Sequence, residues 1–186
     1  MASLLALQHP RFLTAEEFLQ IDFGSELRAE LDDGVIRMMT GGSREHARVQ
    51  ANIISFFRQR LRGSSCHAYG SDMAVATHDR SVRYPDVTVD CGSPGDRESD
   101  TRLTAPRIVV EVLSPATRDH DLRVKKEEYR ALPSVDTILF VDPGEEWVIV
   151  SQRVEGGWID TAPSRRDVAL PSLDLVLAAD EMFARD

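Results

Sequence analysis

Arg107-Ile-Val-Val-Glu-Val-Leu113 decides the architecture of this chain: an unbroken aliphatic run with a single acid, Glu111, set inside it. Short apolar runs rich in β-branched residues are strands of a sheet interior. Thr137-Ile-Leu-Phe-Val-Asp142 has the same character, and the polar stretch from Asp121 to Ala131 between the two reads as a helix. Upstream, Tyr84-Pro-Asp-Val-Thr-Val-Asp90 alternates as a strand, with shorter β-rich pieces around Cys66 to Tyr69 and Met73 to Thr77. Asp32-Asp33-Gly34 supplies a hairpin turn inside Leu27 to Met39. After Gly41-Gly42, Ser43 caps a helix to about Leu61 whose apolar face includes Val49, Ile53, Phe56 and Phe57, and Gly63 stops it. Thr14-Ala-Glu-Glu17 is a capping box that opens a short N-terminal helix. Beyond the turn at Asp142-Pro-Gly come strands at Trp147 to Val154 and, after Glu155-Gly-Gly, at Trp158-Ile-Asp160. Cys91 to Pro106, polar and punctuated by Gly and Pro, reads as a surface loop. This order predicts an α/β or α+β fold with a mixed sheet.

The length of 186 residues suits one domain, taken as 1–186 with residues 1–26 as an N-terminal helical brace. With 42% hydrophobic and 28% charged residues the composition is that of a globular protein and excludes a disordered or multispanning chain. Lys plus Arg is 22 and Asp plus Glu is 31, a formal net charge of -9 that argues against coating nucleic acid by bulk attraction. Twenty of the basic residues are Arg; the two Lys are the neighbours Lys125 and Lys126. Cys66 and Cys91 are expected as buried thiols of a reducing compartment, and the five scattered His give little support to a zinc site. With no basic leader before the short apolar N-terminal run and no apolar stretch of membrane length, a cytoplasmic protein without a membrane partner is expected.

Glu111 is the sharpest anomaly, because an ionised carboxylate among aliphatics is costly unless paired, protonated or bound to a metal. Asp86 lies near the start of another apolar strand, and two acids from neighbouring strands can converge on one divalent cation. The competing reading pairs them with Arg102, Arg107 or Arg118, or leaves them at an exposed strand edge. Lys125 shares a helical face with Leu122, Tyr129 and Leu132 and so points inward, whereas Lys126 reads as a solvated charge beside Glu127 and Glu128. His46 shares a face with Val49, Ile53 and Phe57, as a core histidine or as a site residue near metal-bound water. Glu45 is the better fit to an exposed acid at a helix start. Nothing resembles a nucleophile elbow, a Walker loop or a GxGxxG turn, which removes support from acyl transfer, NTP hydrolysis and nucleotide redox chemistry.

Tyr84-Pro-Asp-Val, Val110-Glu-Val-Leu-Ser-Pro-Ala-Thr117, Asp121-Leu-Arg-Val-Lys-Lys-Glu-Glu-Tyr129 and Phe140-Val-Asp-Pro143 together resemble the Uma family of restriction-endonuclease-like proteins, a branch of the PD-(D/E)XK nuclease superfamily. Leu13-Thr-Ala-Glu-Glu-Phe18, Glu30-Leu-Asp-Asp-Gly34 and Ser43-Arg-Glu-His46 extend the resemblance over nearly the whole chain. It implies a restriction-endonuclease-like fold, a central mixed sheet flanked by helices, with Mg²⁺ or Mn²⁺ held by Asp86 and Glu111. The superfamily pattern places a lysine two residues after the second acid, where this chain has Leu113, so Lys125 from the following helix is the expected substitute. Glu30 matches a family position on the hairpin. The activity implied is metal-dependent hydrolysis of DNA phosphodiester bonds, with a homodimer as a possible assembly and Arg44, Arg48, Arg58, Arg118 and Arg123 as candidate phosphate contacts. The missing lysine motivates the alternative, a nuclease-fold module that binds nucleic acid or a protein partner with little catalysis.

Overall fold

The computed structural model describes residues 11–24, 27–93 and 100–185, so residues 1–10 and 25–26 of the expected brace lie outside it. Helix α1 (Ala15–Leu19) opens the described chain with both halves of the capping box formed between Thr14 and Glu17. Strands β1 (Ala29–Asp32) and β2 (Val35–Met38) form the expected hairpin, its turn carried by Asp33 and Gly34 at positive φ. Together with β4 (Val75–His78) and β5 (Ser81–Arg83) they make a four-stranded antiparallel sheet in the order β2-β1-β5-β4. Helix α2 (Arg44–Arg60) starts at Ser43, whose side chain accepts from the His46 amide.

The larger sheet has six strands in the order β10-β9-β8-β7-β6-β3, drawn from β3 (His67–Gly70), β6 (Val87–Asp90), β7 (Pro106–Val112), β8 (Thr137–Asp142), β9 (Trp147–Val154) and β10 (Gly157–Asp160). Only β7 and β8 run parallel; the other pairs are antiparallel, so the sheet is mixed. The parallel pair needs a crossover, supplied by three abutting helical segments: α3 (Arg118–His120), a π-helical turn (Asp121–Lys125) and α4 (Lys126–Ala131).

Alternation along β7 sorts its side chains onto two faces. Ile108, Val110 and Val112 pack with Val49, Ile53 and Phe57 of α2, while Val109 and Leu113 pack with Tyr129, Ile138 and Phe140 beneath the crossover. With both faces covered, β7 and β8 can be almost wholly apolar. Glu111 falls on the crossover face and is buried.

Two expectations change, and the stretch after Asp160, for which no element was expected, is structured. The chain after Asp160 forms β11 (Val168–Leu170), a 3₁₀ turn (Pro171–Leu173), β12 (Leu175–Leu177) and α5 (Ala179–Met182), and Val168, Leu170, Leu177, Met182 and Phe183 complete the core against α2. The stretch from Cys91 to Pro106, of which residues 94–99 lie outside the described chain, is not only a surface loop: the Ala74 amide donates to the Thr101 carbonyl at 2.9 Å, the Leu103 amide donates to the Ala74 carbonyl at 2.8 Å, and Leu103 is buried. Cys66 and Cys91 are joined in a disulfide, not free thiols. The register of β3 and β6 sets His67 opposite Asp90, so the next residues outward, Cys66 and Cys91, also face each other.

Candidate active site

At the carboxyl end of β7 the two sheets and the crossover meet, and five elements deliver ionisable side chains to one place. Asp86 stands just before β6, opposite Glu111 if the register of Val87 with Val110 is carried one residue on. Its Oδ2 accepts from the Val112 amide at 2.7 Å and lies 3.3 Å from Nε2 of His46. Gln50, one turn along α2 from His46, donates to the Asp86 carbonyl at 2.8 Å. The hydrogen bond to Asp86 raises the pKa of His46 despite its partial burial.

Glu111 Oε1 accepts from the Tyr129 phenol at 2.5 Å and from Lys125 Nζ at 3.3 Å. The same ammonium lies 3.1 Å from Glu30 Oε1 on β1 and 3.3 Å from Asp121 Oδ1. One buried cation therefore faces three carboxylates. Burial pushes the Glu111 carboxyl up to about 8, aided by repulsion from Asp121, Asp86 and Glu30 and opposed by Lys125. Burial alone would lower Lys125, but the surrounding carboxylates raise it above the ordinary lysine value. The causes differ, burial first for Glu111 and the surrounding carboxylates for Lys125, but both directions favour an added proton or cation in a cluster where negative charge is in excess.

The π-turn brings Asp121 and Lys125 to this cluster together. Its closing bond runs from the Lys126 amide to the Asp121 carbonyl, five residues back. Thr117 Oγ1 donates to Asp121 Oδ2 at 2.7 Å, while the buried Oδ1 accepts no hydrogen bond. Behind Glu30 lies Arg83, fully buried, which pairs with Glu30 at 3.4 Å and with Asp32 and Glu128 at 2.7 Å each.

The structure thus brings Asp86, Glu111, Lys125, His46 and Glu30 to one place as two bonded groups, His46 with Asp86 and Lys125 with Glu111 and Glu30, the first tied to β7 by the Val112 amide next to Glu111. Among the described residues neither Asp86 nor Glu111 pairs with an arginine: Arg107 pairs with Asp136, and Arg118 pairs with Asp142 and stacks on Trp147. Lys126 pairs with Asp160 at the surface, and Glu45 is exposed against Arg48. Arg48 also binds the carbonyls of Phe183 and Ala184, so it and Arg118 are structural rather than free phosphate contacts. Sequence reasoning passed over Asp121, Tyr129 and Arg83. The four-residue spacing of Asp121 from Lys125 was a usable signal; the role of Arg83 depends on pairing between distant strands.

A divalent cation fits this donor set in a limited way. Asp86 Oδ1 and Glu111 Oε2 accept no hydrogen bond from the described residues, leaving one hard oxygen just before β6 and another on β7. Among the described residues no group of three or more His, Cys, Asp and Glu side chains is arranged to hold a metal ion. The donor set on the page is therefore the two free carboxylate oxygens, the number of protein ligands a hard, water-retaining divalent cation would need.

Both comparisons and geometry place the chain in the restriction-endonuclease-like class. A crystal structure described as "a putative nuclease" from Anabaena variabilis has the same fold, with a TM-score of 0.73 at 20% identity, covering 92% of this chain and 98% of that one. The chain belongs to the Uma2 family, described as "Putative restriction endonuclease", whose model matches residues 15–180. An uncharacterized protein of Synechocystis is 31% identical over 174 residues, 92% of this chain and 91% of its own length. A second from the same organism is 27% identical over 141 residues, 75% of this chain and 80% of its own. Among the described residues no helix is long and apolar enough to cross a membrane.

Proposed function

We propose that residues 1–186 form one domain that hydrolyses phosphodiester bonds of DNA in the presence of Mg²⁺ or Mn²⁺. The observation that carries this reading is the ammonium of Lys125, held 3.3 Å from Glu111 by a helix where the strand itself offers only Leu113. In this reading Asp86 and Glu111 are the residues that would hold the cation. When bound, it supplies charge that polarises a phosphoryl oxygen. Lys125 orients the attacking water and offsets charge that builds on the phosphate. Tyr129 and Glu30 fix Glu111 and Lys125 respectively, and His46 holds Asp86 from the other side of the sheet edge. The test incubates purified protein with plasmid, oligonucleotide and RNA in Mg²⁺, Mn²⁺ or EDTA. Cleavage of DNA that needs both the metal and Glu111 is expected; its absence on every substrate rejects the enzyme.

One observation favours a second reading, a binding module with little catalysis: the side chains of Lys125 and Glu111 are 9% and 5% exposed and already bonded to each other. In that case Mg²⁺ leaves the melting temperature unchanged.

A further inference from the structure

A cavity of about 580 Å³ lies away from the carboxylate site. It lies between the end of α2, the edge strand β3 and residues 100–104, and its walls include Arg58, Arg62, His67, Tyr69, Met73 and Arg102. We propose that this cleft binds the phosphodiester backbone of a nucleic-acid strand and so docks the substrate beside the reacting site, an inference that rests on the nuclease reading above.

Arg58 lies in the last turn of α2 and Arg62 just beyond its end, and Arg102 lines the same cleft from the segment that pairs with Ala74. Like charges gathered in one cleft repel unless an anion joins them. Several other arginines are neutralised in place, Arg60 by Glu181, Arg107 by Asp136 and Arg118 by Asp142, whereas the cleft gathers three that are not. Arg58, Arg62 and Arg102 make no ion pair with a described residue. Of the two acids among the described residues of the cleft, Asp90 is buried and its oxygens accept from the amides of Gly92 and Ala105, while Asp100 is exposed. In a chain of net charge -9, a local excess of cations is where an anionic strand can be held.

The apolar wall adds a second property. Tyr69 and Met73 are partly exposed in the cleft, and an aromatic face beside arginines suits a stacked base next to a held phosphate. The cleft also shares a strand with the carboxylates. β6 has Asp90, opposite His67, at one end and is preceded by Asp86 at the other, so the two places are separated by roughly 13 Å, four residues of strand. A single strand of a few nucleotides spans that distance, whereas a mononucleotide reaches only one of them.

The experiment measures fluorescence anisotropy of a labelled single-stranded 12-mer with the full-length protein in EDTA at low salt, its integrity checked on a gel. Replacing both Arg58→Ser and Arg62→Ser is expected to weaken binding tenfold or more and to lower the slope of log affinity against log salt by about 1.4, roughly 0.7 per phosphate contact. Asp100→Asn is expected to tighten binding, a gain that misfolding would not produce. Arg80→Ser, which removes a partner of Asp33 on the other sheet, serves as control. Lack of binding by the parent protein, equal losses in the Arg80 control and the Arg58/Arg62 variant, or inorganic phosphate competing as well as the oligonucleotide would overturn the proposal. Failure of the nuclease reading is distinct: it shows as absent metal-dependent cleavage while this binding and its arginine dependence persist.

Discussion

Replacing Lys125 by Met tests the charge logic of the site most directly. The substitution keeps most of the buried stem and removes the one ammonium that lies 3.1 to 3.3 Å from Glu30, Glu111 and Asp121. Removing one partner from a buried ion pair costs about 3–5 kcal/mol, since the remaining charge is left uncompensated. For a chain of this length each kcal/mol corresponds to about 2–4 °C, so the melting temperature in EDTA should fall by roughly 6–20 °C. Lys126→Met removes an exposed pair with Asp160 and should cost no more than about 1 kcal/mol. Calorimetry in EDTA and again in Mg²⁺ separates two effects. A cation entering the cluster replaces part of the missing charge, so the Lys125 variant should regain more stability from Mg²⁺ than the parent does. If the Lys125 variant melts within about 2 °C of the Lys126 variant, the buried cluster does not depend on the ammonium and the reasoning fails.

Arg83→Met should cost about 3–5 kcal/mol in urea unfolding, because Arg83 is buried among three carboxylates. Burial would raise the carboxyls of Asp32 and Glu128, but hydrogen bonds and charge from Arg83 outweigh it and hold both below their ordinary values of 3.8 and 4.5. Their contribution is therefore complete above those values and is lost as pH falls through the lower folded ones, so stability should drop below about pH 4, and Arg83→Met should flatten that drop. Asp86→Asn should abolish any Mg²⁺-induced rise in melting temperature, a rise that persists in the variant being evidence that the cation binds elsewhere. Reducing Cys66–Cys91, which closes a 25-residue separation, should lower stability by about 3.5 kcal/mol by the loop-entropy relation, and unchanged urea midpoints with and without reductant would contradict it.

Much of the frame was legible because local rules and global fold agree. The hairpin at Asp33-Gly34, the caps at Thr14 and Ser43 and the strands at 137–142 and 147–154 all follow from backbone preference and periodicity. Glu111 stood out because a charge inside an aliphatic strand contradicts its surroundings, and Lys125 because it is half of the lysine content. What stayed hidden depends on pairing across the chain. The disulfide needs the register of β3 with β6, and Arg83 gains three carboxylate partners only once β5 lies beside β1 and under α4. The strands after Asp160 are three residues each, too short to show a period, and they earn their place through contact with α2.

The π-turn at Asp121–Lys125 makes the crossover a measured length rather than a mere connection. Upstream of it, Arg118 is tied to Asp142; downstream, Tyr129 is tied to Glu111. A residue of helix corresponds to about 100° of rotation, so removing one from this turn would restore a regular ladder while turning one anchor away from its partner. Exposed Val124 can therefore change its side chain freely, yet deleting it would misalign the lysine with the acids around it. Side-chain identity and spacing are separate constraints here, and the spacing is the stricter of the two.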